Sequence, residues 1–184
     1  GRSSWKSCRV LLDQRAPLSN SASDRRSRKQ ARPGDMHPDT PYIGLEHMPR
    51  KCIALDNAGT AAGLESGKFW FERDDVLFGK LRPYFHKVGL APFRGVCSTD
   101  ILVLRPADPK WLGFVAMHAS SDELITYTTQ LSNGARMPRT SWHDVAGFKV
   151  AIPSDEIAAA FIIECCRCRQ EARQQRPQWQ ATFG

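Results

Sequence analysis

The amino-acid sequence predicts an α+β domain: a mixed, mostly antiparallel β-sheet, a helical pair at about 109–132 and a C-terminal helix from about 155. Short apolar runs at 76–78 and 101–104, bounded by glycine and proline, are typical of buried strands. Two segments within the helical pair and one segment after Ser154 instead carry apolar residues at helical spacing behind N-cap residues. These patterns together define the fold class.

The strands are expected at intervals along the chain. Residues 42–45 follow two prolines and open the ordered domain. The glycine-rich stretch 57–67 lacks the Gly-Lys-Ser/Thr ending of a phosphate-binding loop, so it is interpreted as a connector. Residues 69–71 lead into the central stretch 74–105, and residues 148–152 supply the last strand.

The helical pair has clear start and stop signals. Asp108 followed by Pro109 predicts the start of the first helix, and Ser121 predicts the start of the second. Asn133 and Gly134 end the second helix. His118 lies on the apolar face of the first helix, where a packed histidine is the expected role rather than a ligand.

Composition fits one domain with appendages. The chain has 184 residues, of which 41% are hydrophobic, which is enough for a real core. No apolar run approaches the length of a membrane span, and the first residues lack an apolar signal-peptide core. We therefore expect a soluble, cytoplasmic protein without a membrane partner.

The net charge of +7 comes entirely from the N-terminal region. Residues 1–34 hold nine Lys/Arg against two Asp, and the remaining residues hold seventeen of each sign. Residues 1–41 are rich in Ser, Arg, Pro and Asp, so they are predicted to form a flexible basic arm that could follow DNA phosphates. Any DNA-binding face in the rest of the chain requires local segregation of charge.

The central stretch 74–105 shows such segregation. Its acidic residues lie only at its two ends, while lysines, arginines, a histidine and four aromatic residues lie between them. A basic, aromatic surface held between buried strands is expected for a duplex nucleic-acid partner. A solvated positive face on an ordinary sheet explains the charges equally well. A second basic segment, 135–140, is predicted to be an exposed loop.

Five blocks in this order carry a family resemblance: YIGLEHM (42–48), DDVLFGKLRPYFHKV (74–88), GVCSTDILVLRP (95–106), GARMPRTSW (134–142) and FKVAIP (148–153). Over about 42–165 the chain resembles a target-recognition domain of the DNA-specificity (S) subunit of type I restriction-modification enzymes. The resemblance implies sequence-specific recognition of double-stranded DNA that directs methyltransferase (M) and restriction (R) subunits. It implies a non-catalytic chain that binds no cofactor, because S-adenosylmethionine, ATP and Mg are used by those partner subunits.

The resemblance also divides the DNA-contacting residues into two groups. Motif positions are expected to contact phosphates or support the frame: Lys80, Arg82, Arg136 and Arg139. Less typical neighbours are the candidates for base or edge contacts: Tyr84, His86, Lys87 and Arg94. A single concave face is expected to hold the cations of the central stretch. Arg82 could instead be a buried partner of Asp100.

Two other function classes remain open from the residues alone. A metal-dependent nuclease would need clustered carboxylates and a lysine, and Asp74, Asp75 and Lys80 are the one group that qualifies. Alternation along a strand points neighbouring side chains to opposite faces, so we favour structural roles for the two aspartates. A protein-interaction module without a DNA role is the second alternative.

The predicted domain order is the arm (1–41), a recognition domain (42–153), a spacer or dimerisation helix (154–176) and a tail (177–184). Apolar residues of the helix recur at three-four spacing, which suits helix–helix association: Ala158, Phe161, Cys165 and Cys168. Packing of the helix back onto its own domain is the alternative. The two cysteines have C-x-x-C spacing but no second pair, so no metal is expected. With one recognition domain, the chain is either a half-subunit that pairs with a copy or a second half, or a fragment.

Overall fold

The computed structural model describes residues 15–20, 22–24, 30–132, 136–154, 156–158 and 160–163. In this part of the chain the strands are β1 (Arg15–Pro17), β2 (Ala22–Asp24), β3 (Gln30–Ala31), β4 (Pro41–Ile43), β5 (Gly59–Thr60), β6 (Lys68–Phe71), β7 (Val76–Gly79), β8 (Val88–Leu90), β9 (Gly95–Cys97), β10 (Ile101–Pro106) and β11 (Lys149–Ala151). The α-helices are α1 (Leu112–Ala119), α2 (Asp122–Leu131) and α3 (Trp142–Gly147), and residues 156–158 and 160–163 are also helical.

The described strands form three sheets, with the orders β1-β11, β2-β10-β7-β8 and β3-β6-β9-β4-β5. Within them the β4–β9 pair is parallel and the other strand pairs are antiparallel. The predicted α+β class with a mixed, mostly antiparallel sheet is therefore confirmed. No helix in the described ranges is long and apolar enough to cross a bilayer.

Strands β7 and β10 explain the uninterrupted apolar runs in the sequence. Their alternate side chains face two different hydrophobic cores, so both faces of each strand are buried. Val76 and Phe78 pack with Leu102 and the helices, whereas Leu77 faces the core beneath β4 and β9. Both strands are fully buried at these positions, and neither shows the polar–apolar alternation of a half-exposed strand.

The predicted flexible arm over 1–41 is wrong for the part that the structure describes. β1 pairs with β11, β2 with β10, and β3 with β6. Edge strands gain backbone hydrogen bonds without needing apolar side chains, which is why the polar composition was misleading. The few apolar residues there, Leu18, Ala22 and Ala31, are almost completely buried. Residues 1–14 lie outside the described ranges.

The helical pair is found where the sequence predicts it. The Asp108 carboxylate accepts a hydrogen bond from the Lys110 amide (2.9 Å), and the Ser121 hydroxyl accepts one from the Leu124 amide (3.2 Å). The sequence reading missed α3. This helix has only six residues, and its signal is the capping box formed by Ser141 and Asp144.

The C-terminal helical segment packs on its own domain. Ala158 is fully buried, and the Phe161 ring lies edge-on to Phe114 with ring centroids 5.6 Å apart. A Cβ added to Gly113 would lie 2.3 Å from the Phe161 carbonyl carbon, so the two backbones touch. This is the packing onto its own domain that the sequence left as the alternative, and the predicted use of Ala158 and Phe161 in oligomerisation stays a prediction. Cys165 and Cys168 lie outside the described residues.

His118 is a packed histidine, as predicted. Its Nδ1 donates a hydrogen bond to the Phe114 carbonyl (3.0 Å), and its ring lies against the rings of Phe114 (4.1 Å) and Phe161 (5.9 Å between centroids). Burial lowers the pKa of His118 below its ordinary value of 6.5. The folded protein therefore holds this side chain neutral in a range where the unfolded chain protonates it.

This pKa shift predicts a pH dependence of stability. Because the unfolded chain binds the proton more tightly, the contribution of His118 is fully present above about pH 6.5 and decreases as the pH falls toward its lowered folded pKa. His118→Asn keeps an N–H donor for the Phe114 carbonyl but does not titrate. In urea unfolding at pH 7.5 and 5.5, the variant should lose less free energy of unfolding than the wild type. Equal losses in the two proteins would contradict the assignment.

Candidate nucleic-acid interface

The two basic segments predicted from the sequence lie side by side. Leu81 and Arg139 form an antiparallel bridge. On either side of it, the Arg82 amide donates to the Pro138 carbonyl (2.8 Å) and the Thr140 amide donates to the Lys80 carbonyl (2.9 Å). Residues distant in the sequence thereby form one short ribbon, which brings together four predicted phosphate or scaffold positions: Lys80, Arg82, Arg136 and Arg139.

The ribbon leads into an aromatic turn. Arg82 adopts the left-handed conformation (φ 51°), a 3-10 turn follows over Pro83–Phe85, and His86 is again left-handed (φ 52°). A residue before proline normally prefers extended backbone, so Arg82 is held in an unfavourable conformation by its neighbours. The Arg82–Pro138 hydrogen bond supplies part of that restraint. Tyr84, at the tip of the turn, is 47% exposed.

His86 anchors this turn to the helices and is not exposed. Its side chain is buried, with Nε2 2.8 Å from the Ser120 carbonyl oxygen and Nδ1 3.4 Å from an Asp122 carboxylate oxygen. The predicted base contact of His86 is therefore wrong, since both ring nitrogens face the junction of α1 and α2. The residue fixes the turn that carries Tyr84.

The exposed face of the ribbon and turn is cationic and aromatic. We use the name basic edge for the exposed residues of these two segments, which are Arg82, Tyr84, Arg136 and Arg139. Arg139 lies 3.4 Å from the Asp100 carboxylate. Asp100 therefore pairs with Arg139 and not with Arg82, which was the alternative considered from the sequence. Arg82 is exposed, and within the described ranges neither it nor Arg136 has a carboxylate at ion-pair distance.

Two further family-motif blocks lie near the ribbon. Because β4 and β9 are parallel, the residues that follow them, 44–48 and 98–100, meet at the same sheet edge. The Lys80 amide donates to the Asp100 carbonyl (2.9 Å), and the Lys87 ammonium donates to the Leu45 carbonyl (2.6 Å). Lys87 is half-buried and supports this frame, and its predicted base or edge contact remains a prediction.

Arg94 lies elsewhere. It precedes β9, whereas Asp100, the partner of Arg139, follows the other end of that strand. Its Nε is 3.5 Å from the Glu72 carboxylate, and its guanidinium carbon is 5.2 Å from the centre of the Trp70 ring. The prediction of a single face holding all cations of the central stretch is wrong in this respect. Arg94 is exposed, and its predicted base contact remains a prediction.

The group proposed for a nuclease is dispersed. Asp75 is buried and accepts two 2.7 Å hydrogen bonds from Arg105 and a third, also 2.7 Å, from the Glu72 amide. Asp75 precedes β7 and Lys80 follows it, which separates them by about 16 Å at the rise of a strand. This separation does not bring Asp75 and Lys80 together as a metal-dependent nuclease site requires. The described residues also contain no cluster of three or more His, Cys, Asp or Glu that could hold a metal.

One cation of the surface was missed by sequence reasoning. Arg50 is exposed, its guanidinium carbon lies 4.6 Å from the centre of the Phe85 ring, and its Nε lies 3.4 Å from the Phe85 carbonyl oxygen. The only sequence signal is the basic pair Arg50-Lys51 after the first motif block. The Lys51 amide donates to the His86 carbonyl (3.0 Å), so the segment 50–51 lies along the turn.

An α+β domain that presents exposed guanidiniums beside an aromatic turn is, by class, a candidate nucleic-acid-binding domain. Comparison with solved structures finds two chains with a similar fold. The HsdS subunit from Thermoanaerobacter tengcongensis superposes with a TM-score of 0.64 at 18% identity, over 88% of this chain and 44% of that one. A chain from a study of complex assembly and conformational transition of the type I R-M system gives 0.65 at 19% identity, with the same two coverages.

These likenesses confirm the fold that the family resemblance predicted. The chain spans less than half the length of the two structures. No family model matches the sequence, and no curated protein matches it.

Proposed function

We propose that the chain recognises double-stranded DNA in a sequence-specific manner, as one recognition half of the specificity component of a type I restriction-modification complex. The observation that carries the proposal is the backbone pairing of 80–82 with 138–140, which collects exposed arginines beside Tyr84 on a fold shared with HsdS. Phosphate contacts by the arginines would set register, and the turn would approach the groove.

The chain's role in this proposal is binding, and chemistry belongs to partner subunits. A methyltransferase subunit using S-adenosylmethionine and a restriction subunit using ATP and Mg would be directed by it. A second recognition half, in another chain or in a continuation of this one, would complete a split site. The support is that the chain covers 44% of each solved relative.

The test begins with selection of bound sites from a random duplex library, followed by affinity measurements on a selected and a scrambled duplex. Arg82→Gln combined with Arg136→Gln removes two exposed cations that have no ion-pair partner in the described ranges. If both contact phosphates, affinity should fall about tenfold or more on both duplexes, and the salt slope should decrease by about two units.

The matched control is Arg73→Gln combined with Lys149→Gln, which removes the same charge from two other exposed positions. Arg73 precedes the opposite end of β7 from the basic edge. Equal losses in the two double variants would show that only overall charge matters. A wild type that binds no duplex even at low salt would reject the DNA role and favour the protein-interaction module.

A further inference from the structure

Two arginines share one aromatic ring at the edge of the ribbon. The guanidinium carbons of Arg50 and Arg82 lie 4.6 Å and 5.9 Å from the centre of the Phe85 ring. Arg50 is additionally within 3.4 Å of the Phe85 carbonyl oxygen through its Nε. Phe85 is half-buried, and its ring centroid lies 4.9 Å from that of Tyr84.

The charge balance of this group is unusual. Neither guanidinium has a carboxylate at ion-pair distance among the described residues, whereas the neighbouring Lys51 has one, Asp122, at 3.6 Å. Two like charges gathered at one ring repel each other and gain only weak attraction from its face. An anionic or acceptor-rich ligand between or beside them would relieve that repulsion. A guanidinium can bind two acceptor atoms at once, so the pair suits a ligand with paired acceptors.

We propose that Arg50 is a DNA contact and that Phe85 is the positioning residue that orients its guanidinium alongside that of Arg82. This inference rests on the proposed function and assigns a residue outside the motif blocks to the site. The ligand chemistry is a pair of acceptor atoms on duplex DNA, presented either by a guanine edge or by a phosphate. Lys51 is adjacent to Arg50 and exposed, but its ammonium has a carboxylate, Asp122, at 3.6 Å, so it is the matched control.

The experiment compares Arg50→Gln, Arg50→Lys and the control Lys51→Gln on the selected and scrambled duplexes. Lysine keeps the charge but lacks the planar fork, so Arg50→Lys should bind the selected duplex at least about fivefold more weakly than wild type, while Lys51→Gln stays within about twofold. A loss of affinity confined to the selected duplex identifies a guanine edge as the ligand of Arg50. A loss on both duplexes identifies a phosphate.

Phe85 is tested by exchange of the ring. Phe85→Tyr should retain wild-type binding, and Phe85→Leu should reproduce the loss seen for Arg50→Lys. In the Phe85→Leu background, Arg50→Lys should cause little additional loss, because the orientation it depends on is already absent. A purely structural role of the ring would instead leave the effect of Arg50→Lys unchanged in that background.

The inference is overturned if Arg50→Lys binds both duplexes as wild type does, or if Lys51→Gln loses as much affinity as Arg50→Gln. Both results require a wild type that binds DNA, so they leave the proposed function standing. A wild type that binds no duplex removes the proposed function first and this inference with it. Arg50 is exposed, so its variants keep the test valid even if Phe85→Leu fails to fold.

Discussion

Replacing Arg105 with methionine is expected to lower the free energy of unfolding by about 3–5 kcal/mol. The Asp75 side chain is 2% exposed, and Arg105 is the cation that compensates its charge through two 2.7 Å hydrogen bonds. This bonding also raises the pKa of Arg105 above its ordinary value, so the guanidinium keeps its charge. Methionine fills similar space but leaves the carboxylate buried with only the Glu72 amide as a described donor.

Urea unfolding of Arg105→Met measures this loss of stability. Two further variants serve as a control and as a test of the charge pairing. Arg73→Met removes an exposed arginine that lies 3.9 Å from Asp74, and it should change stability by less than about 0.5 kcal/mol. Asp75→Asn combined with Arg105→Met removes both charges and should recover part of the loss. A loss below about 1 kcal/mol in the single variant would show that water replaces Arg105 at the carboxylate.

The buried pair also explains why acidic residues begin the central stretch. Asp75 joins the start of β7 to β10 and accepts the Glu72 amide, so it is part of the frame. The sequence already favoured a structural role for this aspartate from strand alternation. It could not identify Arg105 as the partner, because an antiparallel pairing between two distant strands determines which side chains meet.

Local signals were the predictable part of this fold. The apolar runs of β7 and β10 and the caps at Asp108 and Ser121 depend on near neighbours in the sequence, and the structure has them. The strands before residue 32 were missed, because their stability comes from backbone pairing with distant strands. Polar composition alone does not predict which strands pair.

The sequence predicted the basic and aromatic character of the candidate site, but not which residues belong to it. A carboxylate-free stretch identified Arg82 and Tyr84, which the structure exposes. The same reasoning included His86, whose left-handed backbone and contact with Ser120 bury it. It omitted Arg50, which joins the surface only because its segment runs beside the turn. Exposure and adjacency depend on tertiary contacts that charge patterning does not contain.

Gly113→Val is the second substitution with a large expected effect, since it tests the docking of the C-terminal helical segment. A Cβ at this position would lie 2.3–2.4 Å from the backbone atoms of Phe161 and Ile162. No side-chain rotation relieves a clash with backbone, so the segment must move away from α1, at a cost of about 1–3 kcal/mol. Gly147→Ala is the matched control, because its added Cβ meets only the Tyr127 hydroxyl at 4.0 Å.

Amide hydrogen exchange locates the change that Gly113→Val causes. Protection should fall at residues 156–158 and 160–163 while β7 and β10 stay protected, since those strands are buried in cores that extend beyond this contact. Gly147→Ala should exchange like the wild type. If residues 156–158 and 160–163 kept full protection in Gly113→Val, docking on α1 would not be what orders the segment, and the predicted association of this helix with another helix would become the better explanation. If instead the whole domain lost protection, Phe161 would belong to the folding core, because its contact with Phe114 would then hold α1 in place as well.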